Sequence, residues 1–154
     1  HAVKLEGGAS KVPQIKKLIE SGIPVMGHLG LTPQSVHALG GFKVQGRGAD
    51  GDRIKADARA LAEAGVFAIV LELVPAELAT EIAAELDIPI IGIGAGKGCD
   101  AQVLVWTDLM GLTVGAPKLA KAYRNLRTEM IDAAKEWSKD VASGQFPGAD
   151  QTFH

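Results

Sequence analysis

The sequence has 154 residues, of which 47% are hydrophobic, so residues 1–154 can form one globular core and are too few for two domains to be expected. Its 16 Lys and Arg against 18 Asp and Glu give a net charge of -2, without the basic excess that attracts nucleic acid or anionic membranes. The single cysteine excludes an internal disulfide, and no apolar run approaches the roughly 18 residues of a membrane-spanning helix, so we expect a protein of the reducing cytoplasm.

The chain begins with a strand pattern at residues 2–5, which indicates a sequence that enters its fold in the middle and therefore a truncated protein. Three later apolar runs, at residues 23–26, 66–70 and 88–93, have strand length and do not alternate with polar residues. Continuous apolar runs of this length are typical of parallel strands that are buried on both faces.

A helical pattern precedes each of these three runs. Gly22 and Gly65 follow the first two patterns, and Pro75 starts the third at a position where its missing N–H costs little. Because a crossover helix is needed to bring the chain back to start a parallel strand, this alternation predicts an α/β fold with a parallel sheet. The apolar stripes of the helices consist of Val12, Ile15, Leu18 and Ile19; of Ile54, Ala58 and Leu61; and of Leu78, Ile82 and Leu86.

Two more elements are predicted towards the end of the chain. Residues 103–106 form a short apolar run that predicts a fifth strand, and a long helix is expected after Pro117, with its Met and aromatic side chains in the core. Residues 144–154 are expected to form a loosely ordered tail. A closed β/α barrel needs eight strands and typically about 250 residues. Five strands therefore indicate either an open sheet or a barrel that lacks three strands.

Ionisable side chains stand at the ends of the predicted strands, where α/β folds place their chemistry. Lys4 and Glu6 project from the same face of the first strand. His28 ends the second strand and Glu72 ends the third. Each has a structural alternative, as an ion pair on the first strand, a hydrogen-bonded core histidine or a solvent-facing glutamate. Since the carboxyl ends of neighbouring parallel strands lie at the same end of the sheet, the four groups are expected to lie close together in one cavity. Such a grouping favours a functional site.

Residues 92–98 are rich in glycine but do not form a nucleotide-binding motif. Lys97 occupies the position that the dinucleotide fingerprint requires as glycine, and no Gly-Lys-Ser/Thr of a P-loop follows. The glycines are expected to let the backbone bend closely around a ligand or a neighbouring strand.

Several motifs occur in a fixed order along the chain. They are residues 3–8 (VKLEGG), 24–34 (PVMGHLGLTPQ), 40–47 (GGFKVQGR), 72–75 (ELVP), 92–96 (GIGAG), 99–100 (CD) and 102–105 (QVLV), with Asp108. Together they closely resemble ketopantoate hydroxymethyltransferase, and its actinobacterial members in particular. The resemblance covers nearly the whole chain up to about residue 146, and ordered motifs are far more specific together than any one alone.

The resemblance implies a (β/α)8 TIM barrel of which this chain supplies strands four to eight with their helices, the first three strands being absent. It implies transfer of a hydroxymethyl group from 5,10-methylenetetrahydrofolate to 3-methyl-2-oxobutanoate, giving 2-dehydropantoate on the route to pantothenate and coenzyme A. Mg²⁺ is the implied Lewis acid, which stabilises the enolate formed when the 2-oxo acid loses a proton. The implied assembly is a homo-oligomer, a decamer by family resemblance.

The resemblance also implies roles for the four polar residues. Glu72 resembles the catalytic base, and Lys4 and His28 resemble the groups that bind the carboxylate of the oxo acid. Glu6 resembles a carboxylate that orients metal-bound water without being a ligand itself. The family's two metal-ligating aspartates have no counterpart in this sequence, so no direct metal ligand is expected here. Ala101 also stands where glycine is usual.

Two alternatives stay open. One is a carbon–carbon lyase of the phosphoenolpyruvate mutase or isocitrate lyase type, which shares metal-enolate chemistry and would turn over without folate. The other is a non-catalytic truncated fragment, which the missing metal ligands suggest. The fragment in isolation is expected to be inactive.

Overall fold

A computed structural model describes residues 1–153, in which the chain forms two compact units, one spanning His1–Val103 and one beginning at Leu104. The first unit alternates strands and helices in the predicted order. Whether residues 1–154 form a single domain stays a prediction. The elements of the first unit are β1 (Val3–Glu6), α1 (Val12–Glu20), β2 (Val25–Gly30), α2 (Asp50–Glu63), β3 (Ala68–Glu72), α3 (Ala76–Glu85), β4 (Ile90–Ile93) and β5 (Ala101–Gln102).

The five strands form one parallel sheet in the order β1-β2-β3-β4-β5, which is also their order along the chain. Parallel neighbours require crossover connections, and α1, α2 and α3 each provide one within the first four strands. Short 3-10 turns follow β1 and β2, at Ala9–Lys11 and Pro33–Ser35. The prediction of an α/β chain with a parallel sheet is confirmed.

The apolar core lies between one face of the sheet and the three crossover helices. Ile15 of α1, Leu61 of α2 and Ile82 of α3 are fully buried, as their positions on the predicted apolar stripes require. Strands β2, β3 and β4 contribute every second residue, because side chains alternate between the two faces of a sheet. The buried strand residues on this face are Val25, Leu29, Ile69, Leu71 and Ile90.

The opposite face of the sheet carries the ionisable side chains. Glu6 of β1 pairs with His28 of β2, and His28 pairs with Val70 of β3. Lys4 lies two residues before Glu6 on this face. Glu72 lies two residues after Val70. The alternation that buries the core therefore directs these polar side chains away from the helices.

The fifth strand lies earlier than the sequence predicts. Pairing is confined to Ala101–Gln102, and Val103 extends it only by donating its N–H to the carbonyl oxygen of Gly92 at 3.0 Å. The prediction of a strand at residues 103–106 is therefore wrong. Val103 and Val105 are exposed, so the apolar character of this run does not reflect burial in the sheet.

The second unit contains α4 (Trp106–Leu109), α5 (Leu126–Ser143) and a 3-10 turn at Ala149–Gln151. The long helix predicted after Pro117 begins only at Leu126. Its start is fixed by Asn125, whose side-chain oxygen accepts a hydrogen bond from the backbone N–H of Thr128 at 3.4 Å.

The apolar face of α5 is exposed. Met130 and Trp137 each have more than half of their surface accessible, so the prediction that the Met and aromatic side chains of this helix lie in the core is wrong. The helix ends at Gly144 in the left-handed conformation, and a loosely ordered tail at residues 144–154 stays a prediction. Among the described residues, every helix falls short of the length and apolar character that a membrane-spanning helix requires.

The core between sheet and helices predicts the effect of a truncating substitution. Ile54→Ala in α2 removes a side chain that is 1% exposed and is expected to lower the free energy of unfolding by about 2–5 kcal/mol. Ile131→Ala in α5 is the matched control, because Ile131 is 42% exposed, and it should cost less than about 1 kcal/mol. Urea denaturation measures both values, and similar losses would contradict this account of the core.

Candidate active site

Glu6 and His28 face each other across the first pair of strands. Oε1 of Glu6 lies 3.7 Å from Nδ1 of His28. The other oxygen, Oε2, accepts a hydrogen bond from the backbone N–H of Gln34 at 3.0 Å, in the 3-10 turn that follows β2. This bond holds the carboxylate at the carboxyl end of β1, beside the imidazole ring.

Glu72 approaches His28 from the other side of the ring. Its Oε2 lies 3.2 Å from Nε2 of His28. Both glutamate side chains are largely buried. One imidazole is therefore flanked by two carboxylates, one near each ring nitrogen.

His28 is the most enclosed member of this cluster, at 1% exposure. Within the described residues, neither Nδ1 nor Nε2 has a partner in hydrogen-bonding geometry, although both carboxylates are close. A buried polar group left without a hydrogen bond costs about 1–3 kcal/mol. In a native protein such a group calls for an explanation, and a catalytic role or a bound water or ion is among the recognised ones. The ring is therefore the strongest structural indication of a functional site.

Lys4 shares this face of the sheet but does not join the cluster. It lies two residues before Glu6 on β1, a separation of about 7 Å along a strand, and its side chain is exposed. It forms no ion pair with any of the described carboxylates. The structure thus brings Glu6, His28 and Glu72 together and leaves Lys4 beside them, while the roles of all four stay predictions.

Two residues close to Glu72 have a left-handed backbone conformation, one at the end of β2 and one directly after β3. Gly30 has a φ of +87°, and a Cβ at this position would lie 2.1 Å from the carbonyl oxygen of Glu72, so a larger residue does not fit. Leu73 has a φ of +47°, which costs about 1–2 kcal/mol for a residue other than glycine. Its N–H donates to the carbonyl of Ile93 and its carbonyl accepts from the N–H of Gln45, both at 2.9 Å. These contacts fix the turn of the chain directly after Glu72.

Sequence reasoning missed the residues that hold the cluster in place. Gly30 and Gln34 lie inside the motif at residues 24–34, but their roles depend on contacts with other strands. A leucine in the left-handed region leaves no sequence signal, because Leu73 has no preference for that conformation. Only the glycine at position 30, next to a strand end, could have indicated a close backbone approach.

The donor groups of this cluster do not form a metal site by themselves. Among the described residues, no group of three or more His, Cys, Asp and Glu side chains is arranged to hold a metal ion. Glu6 and Glu72 offer carboxylate oxygens, the ligand type that Mg²⁺ prefers, but Mg²⁺ also keeps several waters in its coordination shell. The two carboxylates are therefore better suited to bind the coordination waters of a hydrated cation than to form a complete set of direct metal ligands.

Gly30→Ala is expected to disturb this site through the backbone. The added Cβ overlaps the carbonyl oxygen of Glu72, in addition to the cost of a left-handed alanine. Gly22→Ala is the matched control, since Gly22 has a φ of +78° and no atom within 4 Å of the new Cβ. In urea denaturation, Gly30→Ala should lose at least about 1 kcal/mol more than Gly22→Ala. Equal losses would show that the contact with Glu72 is unimportant.

Comparison with known proteins identifies the family. The family model described as ketopantoate hydroxymethyltransferase matches residues 1–149. The chain is 59% identical over 153 residues to 3-methyl-2-oxobutanoate hydroxymethyltransferase of Acidothermus cellulolyticus, covering 99% of this chain and 56% of that protein. The proteins of the same name from Frankia casuarinae and Mycobacterium ulcerans are 54% and 55% identical, over 99% of this chain and 52% of each protein. The chain spans about half the length of these curated relatives. Since the family model covers almost all of the sequence, the chain belongs to the ketopantoate hydroxymethyltransferase family.

Proposed function

We propose that the complete protein transfers a hydroxymethyl group from 5,10-methylenetetrahydrofolate to 3-methyl-2-oxobutanoate, giving 2-dehydropantoate in pantothenate biosynthesis. The observation that carries the proposal is the buried His28 between Glu6 and Glu72, at the carboxyl ends of parallel strands in a chain of this family. The names of the curated relatives support the reaction and its substrate. The folate donor rests on the family resemblance.

We propose further that the sheet is part of a (β/α)8 TIM barrel, in which β1 to β5 are strands four to eight. Two observations support this assignment. The strands lie side by side in chain order, as in a barrel wall, whereas doubly wound open sheets reverse their order at a switch point. The three crossover helices also pack on one face alone, as they do on the outside of a barrel.

Glu72 is the proposed base that removes the proton from C3 of the oxo acid, next to the carbonyl carbon. Its carboxylate lies at the strand end where β/α barrels place their chemistry. Its backbone carbonyl accepts the N–H of Leu31 at 2.8 Å, and the next residue is held by bonds to Gln45 and Ile93. A base fixed in this way is positioned for proton transfer before the substrate arrives.

Lys4 and His28 are the proposed binding groups for the carboxylate of the oxo acid. The ring nitrogens of His28 are buried and make no hydrogen bond within the described residues, so donating an N–H to a ligand oxygen would give the imidazole the acceptor that it otherwise lacks. Two glutamates alone would repel an anionic substrate. The exposed ammonium of Lys4 on the same face supplies positive charge that offsets this repulsion.

Mg²⁺, when bound, would act as a Lewis acid that stabilises negative charge on the oxygens of the oxo acid. Glu6 is the proposed residue that meets the hydration shell of the cation. Its Oε2 is already bonded to the N–H of Gln34, whereas Oε1 accepts no hydrogen bond from the described residues and can accept one from water. The direct ligands of Mg²⁺ are proposed to come from outside this chain.

The assembly and location of the complete protein are proposals of the same kind. We propose a homo-oligomer, a decamer by family resemblance, located in the cytoplasm. The outer edges of β1 and β5 have no strand partner within the described chain, and edges of this kind are normally covered in a stable protein. In the proposed barrel, further strands cover them.

Glu72→Gln in the full-length protein is expected to abolish Mg²⁺-dependent exchange of the C3 proton of 3-methyl-2-oxobutanoate. The amide keeps the size of the side chain but cannot accept the proton as a carboxylate does. Exchange in D₂O can be followed by NMR without adding folate. Glu63→Gln, at an exposed position on α2, is the control and should leave the exchange rate unchanged. Unchanged exchange in Glu72→Gln would remove Glu72 from the role of base.

The folate donor has its own test, which separates the transferase from a lyase. Product should form from 3-methyl-2-oxobutanoate only when 5,10-methylenetetrahydrofolate is added, while proton exchange proceeds without it. Cleavage of a carbon–carbon bond in the absence of folate would instead support a lyase of the phosphoenolpyruvate mutase or isocitrate lyase type.

A further inference from the structure

Arg53 on α2 joins two carboxylates of its own helix. Its Nε donates a hydrogen bond to Oδ1 of Asp50 at 2.7 Å, and its Nη1 donates to Oδ2 of Asp57 at 3.1 Å. The guanidinium holds the pKa of Asp50 below its usual value through the hydrogen bond between them. Each carboxylate uses its other oxygen to bind the backbone of a loop. Arg53 therefore connects two loops that lie far apart in the sequence.

The first of these loops follows β1 and the residue Glu6. Oδ1 of Asp57 accepts the N–H of Ala9 at 2.8 Å. A Cβ on Gly8 would lie only 2.1 Å from the carboxyl carbon of Asp57, so the loop passes directly over this carboxylate. The N–H of Gly7 donates to the carbonyl of His28 at 3.0 Å. The chain after Glu6 is thus held between β2 and α2.

The second loop runs from β2 to α2 and touches the backbone after Glu72. Oδ2 of Asp50 accepts the N–H of Gly46 at 2.8 Å. The preceding residue, Gln45, donates its N–H to the carbonyl of Leu73 at 2.9 Å. Leu73 follows Glu72 directly, so this loop anchors the end of β3.

We propose that Arg53 is a positioning residue that, through Asp50 and Asp57, sets the spacing of Glu6 and Glu72 on either side of His28. The inference rests on the proposed function, because it concerns the same site. Arg53 forms no hydrogen bond with any of these three side chains. It binds the carboxylates of Asp50 and Asp57, which in turn accept hydrogen bonds from backbone N–H groups of the two loops. A guanidinium suits this task because its donors form a planar fork that can bind two carboxylates at once.

The chain offers a closely matched control for this residue. Arg59 lies on the same helix and is bonded to a carboxylate, that of Glu85. The side chains of Arg53 and Arg59 are 57% and 51% exposed. Exposed ion pairs contribute little to stability, so removing either arginine should have similar and small effects on folding. Only Arg53 is connected to the strand ends that carry the site.

Arg53→Met and Arg59→Met in the full-length protein test the proposal. Their thermal midpoints should differ by no more than about 3 °C. The kcat for Mg²⁺-dependent C3 proton exchange should fall about 10- to 100-fold in Arg53→Met, because misplacing a base by a fraction of an ångström to one ångström has effects of this size. The KM for 3-methyl-2-oxobutanoate should change less than kcat. Arg59→Met should exchange at the wild-type rate.

Arg53→Lys distinguishes positioning from a general loss of structure. A lysine keeps the charge but reaches one carboxylate more readily than two, so kcat should lie between the wild-type value and that of Arg53→Met. Equal kcat values for Arg53→Met and Arg59→Met would overturn the proposal, and so would a fall in kcat that only follows the loss of folded protein. With Glu72→Gln inactive, such a result overturns the role of Arg53 alone. Absence of exchange in the wild-type protein overturns this role and the proposed function together.

Discussion

The parallel register of β1, β2 and β3 is the constraint on which the rest of the structure depends. It places Glu6 opposite His28 and brings Glu72 to the same face two residues further along. A shift of one residue would turn every side chain of a strand to the other face, because side chains alternate along a strand. Such a shift in β2 would send the imidazole into the apolar core, and a shift in β1 or β3 would send a carboxylate there. Hydrophobic burial against the helices therefore also fixes the polar cluster.

The polar cluster is held more by the backbone than by contacts among its own side chains. Glu6 is bound by the N–H of Gln34, and the turn after Glu72 is held by bonds to neighbouring strands and loops. Leu73 adopts an unfavourable left-handed conformation there. His28 stays buried without a hydrogen-bond partner among the described residues. Features that cost stability are thus concentrated at the carboxyl ends of the strands in an otherwise well-packed sheet, which is typical of a site kept for function.

Much of the first unit could be predicted from the sequence, because its apolar residues repeat with the periods of helices and buried strands. The third strand ends at Glu72 as predicted, whereas β2 continues past His28 and ends at Gly30. The apolar pattern of α5 did not indicate its exposure, since periodicity identifies an apolar face but not what covers it. The charges of Asp50, Arg53 and Asp57 follow helical spacing and resemble an ordinary solvated face. Their links to the loops depend on tertiary contacts that local patterns do not contain.

We propose that the oxo acid binds on the polar face of the sheet, next to His28 and Glu72. A crystal structure of the full-length protein with Mg²⁺ and 3-methyl-2-oxobutanoate tests this claim most directly. The ligand's carboxylate should lie within hydrogen-bonding distance of His28, with C3 next to the carboxylate of Glu72. A ligand bound at another surface, or a Glu72 side chain directed away from C3, would contradict the account.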